Sequence, residues 1–217
     1  MHQVKLTAMF IRPSIGILFI LNLVFYSAKA QENSIKYDLL GDIINDYISS
    51  KYPDEQFIDY LYVGVQRQKL YYFNKGELKN IFIVSTATKG AGNNISSNQT
   101  PVGLHFIKEK IGKYEPIGTL FKNKKSTGNT VNINIENADF SKDEITSRIL
   151  SLAGKEQGIN KGKKNDTYSR GIYIHGTSDE ANLGKAKSHG CIRMKNTDVI
   201  NLFDLVDEGT LVVLIDN

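Results

Sequence analysis

The stretch Ser188-His189-Gly190-Cys191-Ile192-Arg193-Met194, with His175-Gly176-Thr177 upstream, is the most informative part of this chain. Cys191 is the only cysteine in 217 residues, so the chain forms no internal disulfide. In a protein that leaves the cytoplasm, a single thiol is a buried apolar group, an intermolecular link or a nucleophile. The glycine beside the thiol and the two histidines near it favour a nucleophile.

The first thirty residues are typical of a secretory signal peptide. Lys5 and Arg12 supply positive charge, residues 15–26 form an apolar run, and Ala28-Lys29-Ala30 resembles a cleavage site. The run is short for a membrane span, and no cysteine directly follows it that would carry a lipid. We therefore expect residues 1–30 to be removed. The mature protein is then expected in the periplasm or cell envelope without a stable membrane span. An uncleaved N-terminal anchor is the alternative.

The charges of the mature chain nearly balance, which argues against nucleic acid as a partner. The full sequence has 27 Lys and Arg against 23 Asp and Glu. Residues 1–30 hold three of the basic residues and no acidic one, so 24 basic and 23 acidic side chains remain. The lysines within 108–125 and 155–164 are scattered through loops rich in glycine and asparagine. We interpret them as a solvated surface rather than a polyanion site.

Residues 35–50 carry apolar side chains at the three- and four-residue spacing of an amphipathic helix. The apolar positions are Leu39, Leu40, Ile43, Ile44, Tyr47 and Ile48, and Pro53 ends the helix. We expect this helix to pack onto the domain that follows. The sequence thus divides into residues 31–58, an N-terminal helical segment, and residues 59–217, a single domain without internal repeats.

From residue 59 onward, short apolar runs between Gly, Asn and Pro predict a mainly β domain with short helices. The predicted strands are 60–65, 69–73, 78–84, 104–110, 131–135, 171–174 and 210–215; residues 197–206 form a helix capped by Asn196 or Thr197. The first three strands make an antiparallel meander, and His175 stands at the end of the 171–174 strand.

Three segments between these elements are less regular. Residues 86–99 and 155–169 are polar and are predicted to be exposed loops. Ser141 and Glu144 imitate a helix cap, whereas the residues after them are rich in β-formers. Residues 141–152 are therefore predicted to form a short helical turn or coil, followed by a strand.

A thiol is a poor nucleophile until it loses its proton, and a nearby imidazole can take that proton or pair with the thiolate. His175 is aimed by a strand, whereas His189 lies two residues before Cys191 and shares its side of an extended chain. The spacing does not decide between them. Gly176 and Gly190 allow close approach of the backbone to a substrate. The N–H groups of Gly190 and Cys191 are candidates for binding an oxyanion.

Arg193 and a metal site leave further alternatives. Arg193 can bind a substrate carboxylate or brace the loop through carbonyl groups. His175, His189 and Cys191 offer three zinc ligands, but no metal-binding spacing is present, and we disfavour zinc.

Tyr173-Ile174-His175-Gly176-Thr177 followed by Ser188 to Met194 resembles the signature of the L,D-transpeptidase catalytic domain, a family of bacterial enzymes that cross-link the cell wall. Residues 65–76, 84–86 and 100–103 are similar to other landmarks of the family. The resemblance covers residues 59–215. It implies an antiparallel β-sandwich or barrel-like core with short helices, so that 59–217 is the catalytic domain.

The resemblance also implies a reaction and a set of roles. The substrate is a peptidoglycan stem tetrapeptide: Cys191 attacks the carbonyl of the third residue, expels the terminal D-alanine and passes the acyl group to an amine on a neighbouring stem. His175 is the general base, held by a backbone carbonyl such as that of Gly176. The oxyanion and substrate-binding residues are Gly176, Ser188, His189, Gly190 and Arg193. Members of the family need no metal or organic cofactor.

Two points stay open at the level of sequence. The loops 86–99 and 155–169 match no landmark of the family, which leaves the acceptor undetermined. A hydrolase with the same site, an L,D-carboxypeptidase or another peptidoglycan-trimming enzyme, shares the acyl-enzyme. A catalytically silent wall-binding module is disfavoured because both Cys191 and His175 are present.

Overall fold

The computed structural model describes residues 15–137 and 142–217, which fall into two compact units, residues 1–40 and 41–217. The first unit is helical over its described residues, and its first fourteen residues, with the basic end of the predicted signal peptide, lie outside them. Helix α1 is Ile15–Lys51 and confirms the helix predicted at 35–50, although it starts earlier. Among the described residues, no helix is both long and apolar enough to span a membrane.

Within the second unit, the end of α1 packs on the β-domain as expected. Ile44 and Ile48 are buried, whereas Ile43 of the predicted apolar stripe remains exposed. The Tyr60 hydroxyl donates a hydrogen bond of 3.4 Å to the Gly41 carbonyl. These contacts attach the last turns of α1 to the domain.

Ten strands and a second helix make up the rest of the regular structure described. The strands are β1 Asp59–Gly64, β2 Lys69–Asn74, β3 Glu77–Ser85, β4 Gly103–Ile111, β5 Thr119–Lys122, β6 Lys125–Thr130, β7 Ile145–Gly154, β8 Tyr173–Thr177, β9 Ile192–Met194 and β10 Leu211–Ile215. Helix α2 is Asn196–Leu205, and two single 3₁₀ turns lie at Lys163–Asn165 and Glu180–Asn182.

The strands form one mixed sheet that closes on itself. Its order is β4-β10-β1-β2-β3-β9-β8-β7-β5-β6, and β4 also pairs with β7, which joins the two ends of an eight-strand ring. The β5–β6 hairpin extends from the first residues of β7. Two pairings are parallel, β1 with β10 and β8 with β9, and the others are antiparallel. The predicted meander and the barrel-like, mostly antiparallel core are confirmed.

The apolar faces of the ring and of α2 enclose one core. Its members include Leu61, Val63, Leu70, Ile107, Leu150, Ile174, Ile192, Val199, Leu202, Phe203 and Val212. Alternation along each strand places every second side chain in this core and the next on the opposite face. The parallel pair β8–β9 therefore carries core residues on one side and polar residues on the other.

The prediction of a strand at residues 131–135 is wrong. None of these five residues is buried, and only Asn134 makes a bridge, with Asp179. The Asn134 side chain instead folds a local turn, in which Oδ1 accepts a hydrogen bond of 3.0 Å from the Asn137 amide. An alternating pattern makes a strand only where a partner strand and an apolar core are available, and in the described structure this segment has one bridge partner and no buried side chain.

Smaller differences between prediction and structure concern His175 and the loops. His175 lies in the middle of β8 rather than at a strand end. The loop at 86–99 is anchored by buried Thr86, and that at 155–169 by buried Asn160 and Thr167. Ser141 lies outside the described residues, and a strand follows at β7, as predicted.

Candidate active site

The parallel pairing of β8 and β9 brings the two motifs together. Ile174 lies opposite Ile192 and His175 opposite Arg193. Both isoleucines are fully buried in the core. Strand alternation turns His175 to the other face, and Cys191, one residue before Ile192, shares that face. Residues sixteen positions apart in sequence are thus brought to neighbouring positions, His175 within β8 and Cys191 directly before β9.

The Cys191 thiol is held between two backbone groups of the chain that enters β8. The Tyr173 N–H donates to Sγ at 3.4 Å, and Sγ lies 3.5 Å from the Gly171 carbonyl oxygen. Burial raises the pKa of the thiol to about 12, although the Tyr173 N–H and two arginines favour the thiolate. The resting thiol is therefore protonated at neutral pH, and attack requires a base.

His175 has the environment of a neutral base. Its side chain is 1% exposed, and Nδ1 lies 2.7 Å from the Gly176 carbonyl oxygen. A carbonyl only accepts, so Nδ1 carries the proton and Nε2 keeps its lone pair. Burial lowers the pKa of His175, while Asp143 and the Gly176 carbonyl act in the opposite direction. An imidazole in this state can accept a proton at neutral pH.

His189 occupies a different environment. Its side chain is 70% exposed, and Nδ1 lies 2.6 Å from Oδ2 of Asp143. The structure thereby separates the two histidines that the spacing left equal: His175 is buried and aimed by β8, whereas His189 is at the rim and paired with a carboxylate.

Arg193 is a buried cation between two carboxylates. It is 3% exposed, with Nε 2.8 Å from Oδ1 of Asp143 and Nη1 3.5 Å from Oδ2 of Asp179. Burial is the largest single influence on the pKa of Asp143 and acts to raise it, but Arg193, His175 and His189 together lower it. Because its charge is already compensated, Arg193 fits the bracing role better than the binding of a substrate carboxylate.

Ser188 and Gly190 fasten the turn that carries the cysteine. Ser188 Oγ donates to the Cys191 carbonyl at 2.6 Å and accepts from the Gly190 N–H at 3.2 Å. Gly190 has a φ of +135°, which side-chain-bearing residues rarely adopt, and a Cβ there would lie 3.1 Å from Ile172 Cδ1. The Gly190 N–H is therefore engaged by Ser188, and of the two expected oxyanion donors the Cys191 N–H is left.

Gly176 is required by packing. A Cβ at this position would lie 2.6 Å from both Asn196 Oδ1 and the Thr146 carbonyl oxygen. Any side chain would push β8 away from these neighbours and would displace the carbonyl that holds His175. The structure thus gives Gly176 a positioning role and shows no space beside it for a substrate.

Three further residues adjoin the site and carried no signal in the local sequence. Asp143 pairs with Arg193 and His189, as described above. The buried Asn196 bonds to Thr146, Ser147, Thr177 and Glu180 and packs against Gly176. Arg170 precedes the glycine that contacts the thiol. Asn196 does not cap α2 as expected, since Lys195 holds the cap position and the Asn196 side chain turns inward.

The zinc alternative gains no support from the geometry. Across residues 15–137 and 142–217, no group of three or more His, Cys, Asp or Glu side chains is arranged to hold a metal ion. The His189 Nδ1 faces a carboxylate and the His175 Nδ1 faces a carbonyl, so these two atoms are already engaged.

Comparison with known proteins gives a consistent set of similarities. The family profile of the L,D-transpeptidase catalytic domain matches residues 58–214. Two Bacillus subtilis (strain 168) proteins that bear the L,D-transpeptidase name are similar over shorter stretches. YkuD is 56% identical over 41 residues, covering 19% of this chain and 25% of YkuD. YqjB is 48% identical over 44 residues, covering 20% of this chain and 25% of YqjB.

The chain thus spans about a quarter of the length of these curated relatives. Among solved structures, L,D-transpeptidase 3 from Mycobacterium tuberculosis, in complex with a faropenem-derived adduct, is 15% identical. That match has a TM-score of 0.47 and covers 73% of this chain and 60% of the other.

Proposed function

The chain belongs to the L,D-transpeptidase catalytic-domain family, and on that basis we propose that it is an exported cysteine acyltransferase acting on peptidoglycan stem tetrapeptides. The observation that supports this most is the β8–β9 register, which sets the buried His175 opposite Arg193 and so places Cys191, directly before β9, next to the strand that carries the imidazole. The whole protein's substrates and partners, donor and acceptor stem peptides, are part of this proposal.

The resting protonation states favour general-base catalysis over a preformed ion pair. His175 Nε2 takes the Sγ proton as Sγ attacks the carbonyl carbon of the third stem residue. The resulting imidazolium gives that proton to the amide nitrogen of the terminal D-alanine as the C–N bond breaks. A thioester at Cys191 remains. The acceptor amine then attacks the thioester, loses a proton to His175 and releases Sγ, which regains its proton.

The remaining residues of the two motifs support this chemistry. The Cys191 N–H is the proposed donor to the oxyanion, since Ser188 Oγ already engages the Gly190 N–H. Ser188 and Gly190 set the shape of the turn that presents Sγ. Gly176 orients His175 through its carbonyl group. Arg193 braces the turn between two carboxylates, and His189 contacts substrate at the rim.

The organisation of the chain completes the proposal. Residues 1–30 act as a cleaved secretory signal, residues 31–58 form the helical segment and residues 59–217 form the catalytic domain. The enzyme then works on peptidoglycan outside the cytoplasm, in the periplasm or cell envelope. It uses no metal or organic cofactor, because the thiol and imidazole supply the nucleophile and the base.

Two histidine variants and one cysteine variant test the assignment. Incubation of the purified protein with tetrapeptide donors, followed by intact-mass spectrometry, detects the thioester at Cys191. We expect Cys191→Ala to abolish acylation and His175→Gln to slow it by about 10²- to 10⁴-fold, the usual contribution of a general base. His189→Gln is the matched comparison: it should weaken substrate binding, seen in KM, without the loss of rate expected on removing the base. Wild-type acylation of Cys191→Ala would sink the assignment.

The products from purified sacculi separate transfer from hydrolysis. Cross-linked dimers indicate that an amine resolves the thioester, as in L,D-transpeptidation. Tripeptides alone indicate that water resolves it, as in an L,D-carboxypeptidase. Chelation of divalent metals should leave either product unchanged.

A further inference from the structure

Two arginines flank Cys191, and the charges around them differ. Arg193 lies between the carboxylates of Asp143 and Asp179. Arg170 forms no ion pair with any carboxylate in the part of the chain that the structure describes. One cation beside the nucleophile is therefore neutralised within the fold, and the other is not.

The partners of Arg170 are neutral oxygen atoms of the 86–99 loop. Nη1 donates to the Gly92 carbonyl at 3.0 Å, and Nη2 contacts the Gln99 carbonyl and, at 3.4 Å, Ser97 Oγ. These contacts engage three of the five N–H donors of a guanidinium, which leaves donors for a ligand. Arg170 is half-buried, and neutral dipoles offset only part of the cost of withdrawing its charge from water, so an incoming anion would complete the pairing.

Arg170 also borders the reacting sulfur. The next residue, Gly171, places its carbonyl oxygen 3.5 Å from Cys191 Sγ. On the other side, the Gln99 carbonyl that Arg170 holds faces the cysteine turn, because a Cβ on Gly190 would lie 3.3 Å from it. A group bound to Arg170 therefore lies close to a carbonyl under attack by Cys191.

A cleft opens at this position. Arg170 and His189 line it with Ile95, Ile172 and three uncharged polar residues, and its volume is about 240 Å³. Among the residues that the structure describes, no carboxylate lines it, and the described walls therefore do not repel an anion. The volume is below that of pockets for drug-sized ligands and suits a group the size of one amino-acid residue.

We propose that Arg170 binds a carboxylate of the acyl donor in this cleft, a proposal that rests on the proposed acyl transfer at Cys191. A guanidinium pairs with a carboxylate through two parallel N–H···O bonds, which fix orientation as well as position. A stem tetrapeptide offers two carboxylates near the attacked carbonyl. One is the C-terminal carboxylate of the leaving D-alanine, and the other is on the side chain of the third residue when that residue is diaminopimelate.

Four synthetic donors test the proposal and separate the two sources. One pair differs only in the C-terminus, free acid or carboxamide; the other differs only in the third residue, whose side-chain carboxyl is free or amidated. The rate of thioester formation gives kcat/KM for each donor. Wild-type enzyme should prefer the free acid of one pair by roughly 10- to 100-fold, as expected for a hydrogen-bonded charge pair. Arg170→Gln should lose that preference, mainly through KM.

Two variants control for indirect effects. Arg170→Lys keeps the charge without the planar fork and should keep only part of the preference. Arg67→Gln removes an exposed arginine of the β1–β2 turn and should leave the preference intact. The pair that loses its preference in Arg170→Gln identifies which carboxylate is bound, and either result supports the proposal.

Other results would overturn it. Equal kcat/KM for acid and amide in wild-type enzyme, or a preference that survives in Arg170→Gln, rules out carboxylate binding. If kcat/KM of Arg170→Gln falls equally for all four donors and its melting temperature also falls, Arg170 supports the loop instead. If kcat/KM falls equally for all four donors and its pH profile shifts to higher pH, Arg170 stabilises the thiolate instead. A folded wild-type protein that forms no thioester with any donor instead refutes the proposed function itself.

Discussion

Replacement of Asn196 by alanine tests how the fold holds His175 in place. The side chain is 1% exposed and joins three segments around the site. Oδ1 accepts from the hydroxyls of Thr146 and Ser147 at 2.6 and 2.5 Å, and Nδ2 donates to the Thr177 carbonyl at 2.7 Å. Nδ2 also lies 2.7 Å from Oε1 of Glu180. Asn196→Ala removes all four contacts at once.

The loss of stability in Asn196→Ala follows from the polar groups that it leaves without hydrogen-bond partners. Thr146, Ser147 and Thr177 are fully buried, so water cannot readily replace the amide. Each buried unsatisfied group costs about 1–3 kcal/mol, and the terms are not additive, since hydroxyls can rotate to other acceptors. We expect a loss of about 3–5 kcal/mol in the free energy of unfolding. For a domain of this size, that lowers the melting temperature by roughly 6–20 °C.

Activity should fall as well, because Asn196 packs against the residue whose carbonyl orients His175. A small displacement of a catalytic group costs up to about 10²-fold in rate, so kcat should drop by roughly one to two orders of magnitude at temperatures where the variant is folded. Asn201→Ala is the matched control, since Asn201 is exposed on the same helix and alanine favours helices. Thermal unfolding and thioester formation measure the two effects. If Asn196→Ala matched Asn201→Ala in both assays, the network would not be what positions the histidine.

Two further predictions concern pH. Asp143→Asn removes a negative charge that raises the pKa of His175, so the acid limb of the kcat/KM profile should move to lower pH; Glu144→Gln on the same segment should not move it, and an unshifted limb in Asp143→Asn would contradict the coupling. His105 is buried, and its pKa is lowered to about 4, so between pH 6.5 and 4 the unfolded chain binds a proton that the folded chain excludes. Stability should therefore decrease by about 3 kcal/mol over that range as the pH falls, and urea titrations of His105→Gln should show a flatter dependence than wild type.

The local pattern of apolar residues and turns was sufficient to predict most of the strands. The runs at β1, β2, β3, β4 and β10 combine β-branched or aromatic residues with clear turns, and all were predicted within a few residues. The failures lie where the local composition gives no strand signal, or where an alternating run lacks a partner strand. β5 and β6 are short, and β6 has no buried residue, so composition gives no signal for it. Residues 131–135 have a stronger alternating pattern than β6, yet only β6 has a neighbouring strand.

The residues of the candidate site also differ in how far the sequence alone could reveal them. Cys191 and His175 could be proposed as nucleophile and base because a lone thiol and a histidine next to a predicted strand are visible in short motifs. The choice between His175 and His189 needed burial, which spacing does not encode. Asp143 and Asn196 were missed because each acts through contacts with residues distant in the sequence, such as Arg193 for Asp143 and Thr146 for Asn196.

The two arginines show why proximity in sequence misleads about substrate binding. Arg193 lies two residues from the nucleophile and was the natural candidate for a substrate carboxylate. The fold delivers Asp143 and Asp179 to it, so its positive charge is compensated before any substrate arrives. Arg170 is far from the cysteine in sequence, but the loop that surrounds it offers only carbonyl and hydroxyl oxygens. Binding an anion at Arg193 would require separating existing ion pairs, whereas binding at Arg170 adds a charge pair where the described residues form none. The electrostatic cost therefore favours Arg170 as the residue that recognises substrate.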